Sequence, residues 1–222
     1  KAFAIGSLLG RVPLQLAGEH SALGPTGLRR LVARGARADN ITILPPAIDP
    51  APFDQAEPAE LDVPADRKIV LFVGRLSYLK GKDTLKTTIP AVLECRSDLH
   101  FVCVGPVEEE LDLPPEYRDH VTLVGAVSSE LVPGYMQAAD VLVHPSLTDG
   151  IPRVVQEALA AGTPVLARDV GDVAVVTDNT FHTDTDFVEQ LCSLEDLPTD
   201  DIRPFTRDVL APRYREYFSR FE

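Results

Sequence analysis

The feature that most constrains the fold is an alternation of apolar strand patterns with helical patterns from residue 68 onward. The strand patterns are almost unbroken by polar residues, which is typical of a parallel sheet that is buried on both faces. Strands are predicted at 68–74, 99–105, 121–125, 140–144 and 164–167, with a short one at 173–177. Helices are predicted at 81–95, 129–138 and 152–161. The sequence therefore predicts an α/β fold with a doubly wound parallel sheet.

The sequence on either side of this region is less regular. Upstream, it predicts the end of a strand at 3–6, a helix at 26–35 closed by Gly35, and a strand at 41–44. Residues 45–66 are rich in Pro and acidic residues, which is typical of a linker or long loop. Downstream, a closing helix is predicted at 207–221, with an apolar stripe of Val209, Leu210, Tyr214, Tyr217, Phe218 and Phe221. Because the chain starts at Lys1 in strand-like sequence, we expect it to be a fragment of a longer protein.

The charge of the chain argues against two classes of partner. Its 21 Lys and Arg against 34 Asp and Glu give a net charge of −13, so its surface repels nucleic acids and anionic lipids. The sequence also contains no apolar run near the roughly 18 residues of a membrane helix. Only five of the basic residues are Lys. This bias fits either a GC-rich genome or a salt-adapted, halophilic cytoplasm, in which an acidic surface keeps proteins hydrated.

Cysteine and histidine usage argues against disulfides and metal sites. Cys95, Cys103 and Cys192 form no CxxC pair and leave an odd count. Cys95 lies in a helical pattern and Cys103 in a strand, where free Cys packs as a small hydrophobe. The five His are scattered, whereas a metal site needs clustered ligands. We therefore expect a reducing, cytoplasmic compartment, no metal and no cofactor.

Two segments that follow predicted strands carry residues suited to an anion. Arg75 follows the strand at 68–74, and Lys80 precedes the next helix, whose first N–H groups are free to bind an anion. Asp149 precedes a second helix start, and Glu157 stands one to two turns into that helix. Because ligands bind beyond the carboxyl ends of parallel strands, we expect these segments to meet in one crevice.

The same residues also have structural interpretations. Arg75 and Lys80 are equally compatible with solvated cations beside a loop, Asp149 with a helix cap, and Glu157 with a solvated helix residue. In the functional interpretation the N–H groups of 150–153 form an anion cradle, and the Glu157 carboxylate pairs with vicinal hydroxyls of a sugar.

Three further signals are weaker. Gly105 and Gly125 each end a strand, where a ligand can approach the backbone closely. His144 and Ser146 suggest a catalytic pair, but His144 continues a buried strand and the sequence places no partner carboxylate beside it. We therefore interpret His144 as a core residue.

Three common motifs of α/β proteins are missing from the sequence. No strand is followed by the G-x-G-x-x-G of dinucleotide-binding domains, and neither a G-x-x-x-x-G-K-[ST] phosphate loop nor a G-x-S-x-G nucleophile elbow occurs. These absences argue against a dinucleotide-dependent dehydrogenase, a P-loop enzyme and a common hydrolase.

Taken together, the segments resemble those of one enzyme family. Their order is Gly74-Arg-Leu with Lys80-Gly81-x-Asp83, a strand ending at Gly105, Val121-x-x-x-Gly125, Ala139-Asp140-Val with Pro145-Ser146, and Asp149-Gly150-x-Pro152 with Gly162-x-Pro164-Val. This order resembles the C-terminal, nucleotide-sugar-binding domain of a family 4 glycosyltransferase of the GT-B type. The likeness runs from about Ile41 to about Thr177 and includes Leu44-Pro-Pro-Ala-Ile-Asp49, which is similar to the family's P-N-G-[IV]-D linker.

The resemblance implies a role for each matched residue. Arg75 and Lys80 match the basic pair that holds the donor diphosphate and stabilises its charge as it leaves. Asp149 and Glu157 match the two acidic positions of the E-x7-E motif, with Asp149 toward the transferred sugar and Glu157 on the ribose hydroxyls. The implied catalytic residues are Arg75, Lys80 and Asp149. The other implied substrate-binding residues are Gly74, Gly105, Val124, Gly125 and Val127, with Gly150, Ile151 and Pro152 beside the sugar and diphosphate.

The implied activity is transfer of a sugar from a nucleoside-diphosphate sugar to an acceptor hydroxyl, with retention of configuration and without a metal. The implied domains are the end of an N-terminal acceptor domain at 1–40, a linker at 41–67, a donor-binding domain at 68–205 and a crossing helix at 206–222. We expect this chain alone to be inactive, and any membrane contact to belong to the missing acceptor domain.

The base, the sugar and the acceptor stay open at this point. One alternative is a sugar-phosphate synthase or phosphorylase of the same fold. Another is a non-catalytic nucleotide-binding or interaction domain. Two features favour it, namely Asp149 at the first acidic position and the acidic run Glu108-Glu109-Glu110 beside a diphosphate site.

Overall fold

The computed structural model describes residues 18–221, and this part of the chain forms two compact units. One unit contains the described residues up to Ile48 together with those from Arg203 onward, and the other is Asp49–Ile202. The strand predicted at 3–6 lies outside the described residues. Within the described range, no helix is long and apolar enough to cross a membrane.

The first unit is built on a two-stranded parallel sheet. Strand β1 (His20–Ala22) pairs with β2 (Ile41–Ile43), and helix α1 (Pro25–Ala33) connects them. Gly35 follows the end of α1 with a φ of 104°, a conformation that favours glycine, as the sequence predicted.

The same unit contains the closing helix, Arg207–Phe218. It buries Leu210 and Tyr217, whereas Val209, Phe218 and Phe221 are exposed. The structure therefore confirms this helix, but only part of the predicted apolar stripe is covered within the described chain.

The second unit contains a six-stranded parallel sheet in the spatial order β5-β4-β3-β6-β7-β8. The strands are β3 (Lys68–Val73), β4 (Leu99–Val104), β5 (Val121–Gly125), β6 (Val141–His144), β7 (Val165–Arg168) and β8 (Thr180–Phe181). The chain adds strands on one side of β3 and then returns to add the others on its opposite side. The connections therefore reverse between β3 and β6, and such a reversal leaves a crevice at the carboxyl ends of the two strands.

Five helices accompany this sheet. They are α2 (Ala51–Asp54), α3 (Lys82–Cys95), α4 (Val132–Gln137), α5 (Arg153–Ala160) and α6 (Asp184–Cys192). Every residue of β4 and β6 is buried, which requires cover on both faces because successive side chains point to opposite sides of a strand. The predicted α/β fold with a doubly wound parallel sheet is confirmed.

The observed secondary structure differs from the predicted one in several details, of which α2, inside the predicted linker, and β1 are two. The strand predicted at 173–177 is wrong: Val173–Val175 forms a 3-10 turn, and the sixth strand is β8. Val173 and Val176 are both buried, and a spacing of three places side chains on one side of such a turn. The sequence analysis also missed α6, although Thr183 and Asp186 form a reciprocal capping box at its start.

The expectation of free cysteines is wrong for two of the three. A disulfide joins Cys95, at the end of α3, to Cys192, at the end of α6. These helices pack against each other, a proximity that the sequence pattern does not encode. Cys103 is free and buried as expected, and burial raises the pKa of its thiol to about 12.

Candidate functional site

A cleft of about 530 Å³ lies at the carboxyl ends of β3 and β6, where the sheet connections reverse. Its lining includes Gly74, Arg75, Lys80, Asp149, Pro152 and Glu157 from the predicted site. The structure thus brings the two segments with anion-binding chemistry into one crevice, as expected from the ends of parallel strands.

Glycines allow the loops around this cleft to approach one another closely. Gly81 has a φ of 88°, and a side chain there would collide with the carbonyl oxygen of Pro145. Gly171, with a φ of 64°, lies in the same way against the carbonyl oxygen of Asp149. The positions of Lys80 and Asp149 are therefore set by backbone contacts that only glycine permits.

Asp149 is the most heavily bonded side chain of the cleft. Its Oδ2 accepts hydrogen bonds from Lys80 Nζ at 2.9 Å and from His144 Nε2 at 3.1 Å. Its Oδ1 accepts from the N–H of Gly150 at 3.0 Å. Burial alone would raise the pKa of Asp149, but the bonds from His144 and Lys80 outweigh it and hold that pKa well below its ordinary value. Asp149 is therefore a carboxylate.

His144 is buried, as its interpretation as a core residue predicts, but it also has a polar partner in the cleft. Its ring is buried, with 3% of the residue exposed, but the structure supplies the partner carboxylate that the sequence did not place. Ser146 does not complete a catalytic pair, because its hydroxyl donates to the carbonyl oxygens of Leu79 and Thr148, both at 3.2 Å.

An acidic loop lies against the basic segment of the cleft. Arg75 Nη1 is 3.3 Å from Glu108 Oε1 in an exposed ion pair. Glu109 accepts a hydrogen bond from the N–H of Tyr78 at 2.8 Å and pairs with Lys82 at 2.9 Å. These two contacts, that from Tyr78 first, lower the pKa of the Glu109 carboxyl. The acidic run is therefore bound to the segment that carries the cations.

Glu157 lines the same cleft from the second turn of α5. Its side chain is 21% exposed, and Arg153 Nε lies 3.7 Å from Oε1. Burial raises the pKa of Glu157, and Arg153 offsets part of this rise. A half-buried carboxylate in a cleft is suited to accept hydrogen bonds from hydroxyl groups.

The remaining predicted residues are not in the described lining of this cleft; they are Gly105, Val124, Gly125, Val127, Gly150 and Ile151. Gly105 packs against Gly74 so closely that a side chain would collide with the Gly74 carbonyl, and its N–H donates to the carbonyl of Gly125 at 2.8 Å. Of the N–H groups predicted to form an anion cradle at 150–153, that of Gly150 donates to Asp149 Oδ1, and Pro152 has none because proline lacks a backbone N–H. Ile151 is buried.

The sequence analysis missed several residues of the lining. They are Phe53, Phe72, Val73, Ser129, Val132, Arg153 and Val154, besides His144. Phe53 belongs to α2, inside the segment predicted as a linker, so no periodic pattern could have indicated it. A second cavity of about 360 Å³ lies beside β5 with Val107, Leu111 and Leu123 in its mainly apolar lining, and it contains neither Arg75 nor Lys80.

Comparison with known proteins places this fold and cleft in a family. The family model described as "Glycosyl transferases group 1" matches residues 67–195. The chain is 36% identical over 116 residues to an uncharacterised glycosyltransferase of Methanocaldococcus jannaschii, covering 50% of this chain and 30% of that protein. It is 31% identical over 210 residues to a D-inositol 3-phosphate glycosyltransferase of Corynebacterium aurimucosum, covering 83% and 49%. This chain thus spans at most about half the length of either relative.

Solved structures share the fold at low sequence identity. The Anabaena protein HepE in complex with UDP and glucose superposes with a TM-score of 0.75 at 17% identity, covering 96% of this chain and 66% of that one. A sucrose-phosphate synthase of Thermosynechococcus elongatus superposes with a TM-score of 0.73 at 23% identity, covering 97% and 61%. The resemblance to GT-B glycosyltransferases that the sequence suggested is thereby confirmed. Because the family model spans more than half of the chain, this protein belongs to the glycosyl transferases group 1 family.

Proposed function

We propose that the cleft binds a nucleoside-diphosphate sugar, and that the protein transfers the sugar to an acceptor hydroxyl with retention of configuration. The observation that carries the proposal is the gathering of Arg75, Lys80 and Glu157 around one cleft at the reversal of the sheet. Arg153 lines the same cleft, and in a chain with a net charge of −13 three cations in one cleft are a specific feature. The HepE structures in complex with UDP and UDP-glucose support this ligand class.

The four predicted charged residues of the cleft each have a role in the proposed reaction. Arg75 and Lys80 bind the diphosphate and stabilise the negative charge that develops on it as the bond to the sugar breaks. Glu157 accepts hydrogen bonds from the ribose hydroxyls, and Asp149 lies toward the transferred sugar. The proposal assigns no protein nucleophile and no metal.

Three further proposals concern the protein as a whole. Since the chain covers 30% and 49% of the length of the two relatives described above, we infer that it binds the donor but does not transfer the sugar by itself. We propose the same division of the chain as before: the end of an acceptor domain, a linker, a donor-binding domain and a crossing helix, at residues 1–40, 41–67, 68–205 and 206–222. A cytoplasmic location stays a prediction, and the disulfide argues against it because disulfides are rare in reducing compartments.

Binding of UDP, GDP and ADP to variants of the two cations tests the donor site. Replacing Arg75 or Lys80 by Ala should weaken the binding of the preferred diphosphate by about 1.5–3 kcal/mol, the range for hydrogen bonds to charged groups. Lys86→Ala is a matched control, because Lys86 forms an exposed ion pair with Asp112. Wild-type affinity in the Arg75 and Lys80 variants, measured by titration calorimetry, would refute the donor assignment.

Salt adaptation is tested separately by thermal unfolding. A halophilic protein with this charge should melt at a higher temperature as KCl rises toward molar concentrations, because salt screens the repulsion among its carboxylates. A flat or falling melting temperature would favour the alternative of a GC-rich genome.

A further inference from the structure

His144 is a buried polar side chain to which the proposed reaction gives no task. It is the last residue of β6, one of the two strands whose ends frame the cleft, and it belongs to the lining of that cleft. Its side chain is only 4% exposed, and its Nε2 lies 3.1 Å from Asp149 Oδ2. A rigid central strand therefore holds this ring at a fixed point beside the predicted site.

The direction of the hydrogen bond between the two side chains follows from the state of Asp149. A carboxylate can only accept hydrogen bonds, so His144 must donate from Nε2, and its proton is assigned to that nitrogen. The same oxygen accepts from Lys80 Nζ at 2.9 Å, and the other oxygen accepts from the backbone of Gly150. Both oxygens of Asp149 are thus engaged by groups of the protein itself.

Two hydrogen bonds therefore connect strand β6 to Lys80: His144 bonds to Asp149, and Asp149 bonds to Lys80. Lys80 has a flexible four-carbon stem, and its side chain is 33% exposed. Left to itself, such an ammonium group samples many rotamers and loses that freedom when it binds an anion. Asp149 restrains it, but only as long as the carboxylate is itself held in place.

We propose that His144 is a positioning residue of the donor site: by its hydrogen bond to Asp149 it holds the carboxylate that places the Lys80 ammonium in the cleft. The inference rests on the proposed function in taking Lys80 as a ligand of the diphosphate. The physical gain is preorganisation, since a cation that is already in place binds its ligand with a smaller loss of entropy.

The test compares two equally buried histidines. His144→Phe keeps an aromatic ring but removes the donor, and His144→Gln retains an amide donor at a similar reach. His100→Phe is the matched control, because His100 is 4% exposed and bonds to Thr122 near the amino end of β4. If H144F does not fold, His144→Asn, whose amide is too short to reach Asp149, takes its place.

The first measurement is the affinity for UDP, GDP and ADP and for the corresponding nucleosides by calorimetry. We expect H144F to weaken the preferred diphosphate about tenfold, or about 1.4 kcal/mol, while the nucleoside binds unchanged. H144Q should recover most of the loss, and H100F should lower stability without this selective effect. Equal losses for diphosphate and nucleoside would indicate a merely structural role and overturn the proposal.

The second measurement needs no ligand. The chain has only five Lys, so NMR of the protein with ¹³C-dimethylated lysines, which retain their charge, resolves Lys80 once Lys80→Arg has assigned its signal. H144F should shift the Lys80 signal, whereas H100F should leave it unchanged.

The two measurements separate the failure of this inference from that of the proposed function. An unchanged Lys80 signal together with unchanged diphosphate affinity in folded H144F would overturn the inference and leave the donor site intact. A shifted Lys80 signal in a protein that binds no nucleoside diphosphate would refute the donor function while supporting the contact through Asp149.

Discussion

Charged side chains cluster at both ends of the six-stranded sheet, but the two clusters differ in how many partners each cation has. At the amino ends, Arg96 donates to Asp98 and Glu195 and to the carbonyl of Cys192, and its side chain is 15% exposed. At the carboxyl ends, Arg75 forms an ion pair with Glu108, and Lys80 forms one with Asp149.

The two ends also differ in their covalent structure: a disulfide lies at the amino ends of the strands, whereas a cleft lies at their carboxyl ends. The Cys95–Cys192 disulfide lies beside the Arg96 network, and the bonds from Lys68 and Arg96 lower the pKa of Glu195 to about 2. Around Arg75 and Lys80 the structure instead leaves a cleft of about 530 Å³. Arg96 is bound to several groups of the protein, whereas Arg75 and Lys80 each pair with one carboxylate beside the cleft. We propose that these two cations are the ones available to a ligand.

The largest effect that would test this contrast is loss of the disulfide. Replacing Cys95 and Cys192 together by Ser frees a loop closed over 97 residues, for which chain entropy predicts a loss of about 4.7 kcal/mol in the free energy of unfolding. Urea unfolding measures this loss. The affinity for nucleoside diphosphates should stay unchanged, and a parallel fall in affinity would show that the two ends are coupled.

Acid should destabilise the amino end through His100. Burial, with a smaller contribution from Arg67, lowers the pKa of its ring to about 4, against about 6.5 in the unfolded chain. As the pH falls below 6.5, the unfolded state takes up the proton first, so stability declines by up to about 3 kcal/mol until the pH nears 4. Urea unfolding between pH 7 and 4 should show this decline in the wild type and a shallower one in H100F.

Glu157 should make nucleoside binding sensitive to acid at the other end. Because burial raises the pKa of Glu157, its carboxylate is protonated at a higher pH than that of an ordinary Glu, and its bonds to ribose hydroxyls weaken there. Glu157→Gln should weaken nucleosides and nucleotides alike by about tenfold at pH 7 and remove the pH dependence. Arg75→Ala should affect only phosphorylated ligands, and the same ligand dependence in both variants would speak against the ribose contact.

The smallest expected effect concerns Glu108, the carboxylate that forms an ion pair with Arg75. An exposed ion pair contributes about 0.2–1 kcal/mol, so releasing Arg75 by Glu108→Gln should strengthen diphosphate binding by up to about fivefold. Glu110→Gln makes the same charge change, but Glu110 lines the second cavity instead. Calorimetry measures the affinity for the diphosphate in both variants. An equal gain in affinity would show that the effect is general repulsion between carboxylates and the diphosphate, not release of Arg75.

The apolar patterns of the sequence were sufficient to predict the fold class and the location of the cleft. Unbroken apolar runs can be satisfied only in strands that are covered on both faces, and parallel strands end at the same edge. It was therefore enough to know that Arg75 and Asp149 follow two such runs to predict that they meet. The one false strand, at 173–177, came from β-branched residues that bury themselves in a turn instead.

The pairing of side chains, by contrast, is visible only in the packed structure. His144 with Asp149, Arg75 with Glu108, and Cys95 with Cys192 depend on how loops and helix ends turn toward each other. Periodicity specifies which face of an element is apolar, but it carries no information on the direction of a loop side chain or on contacts across 97 residues of chain. The partners, and with them the difference between a closed ion pair and an available cation, therefore emerge only on packing.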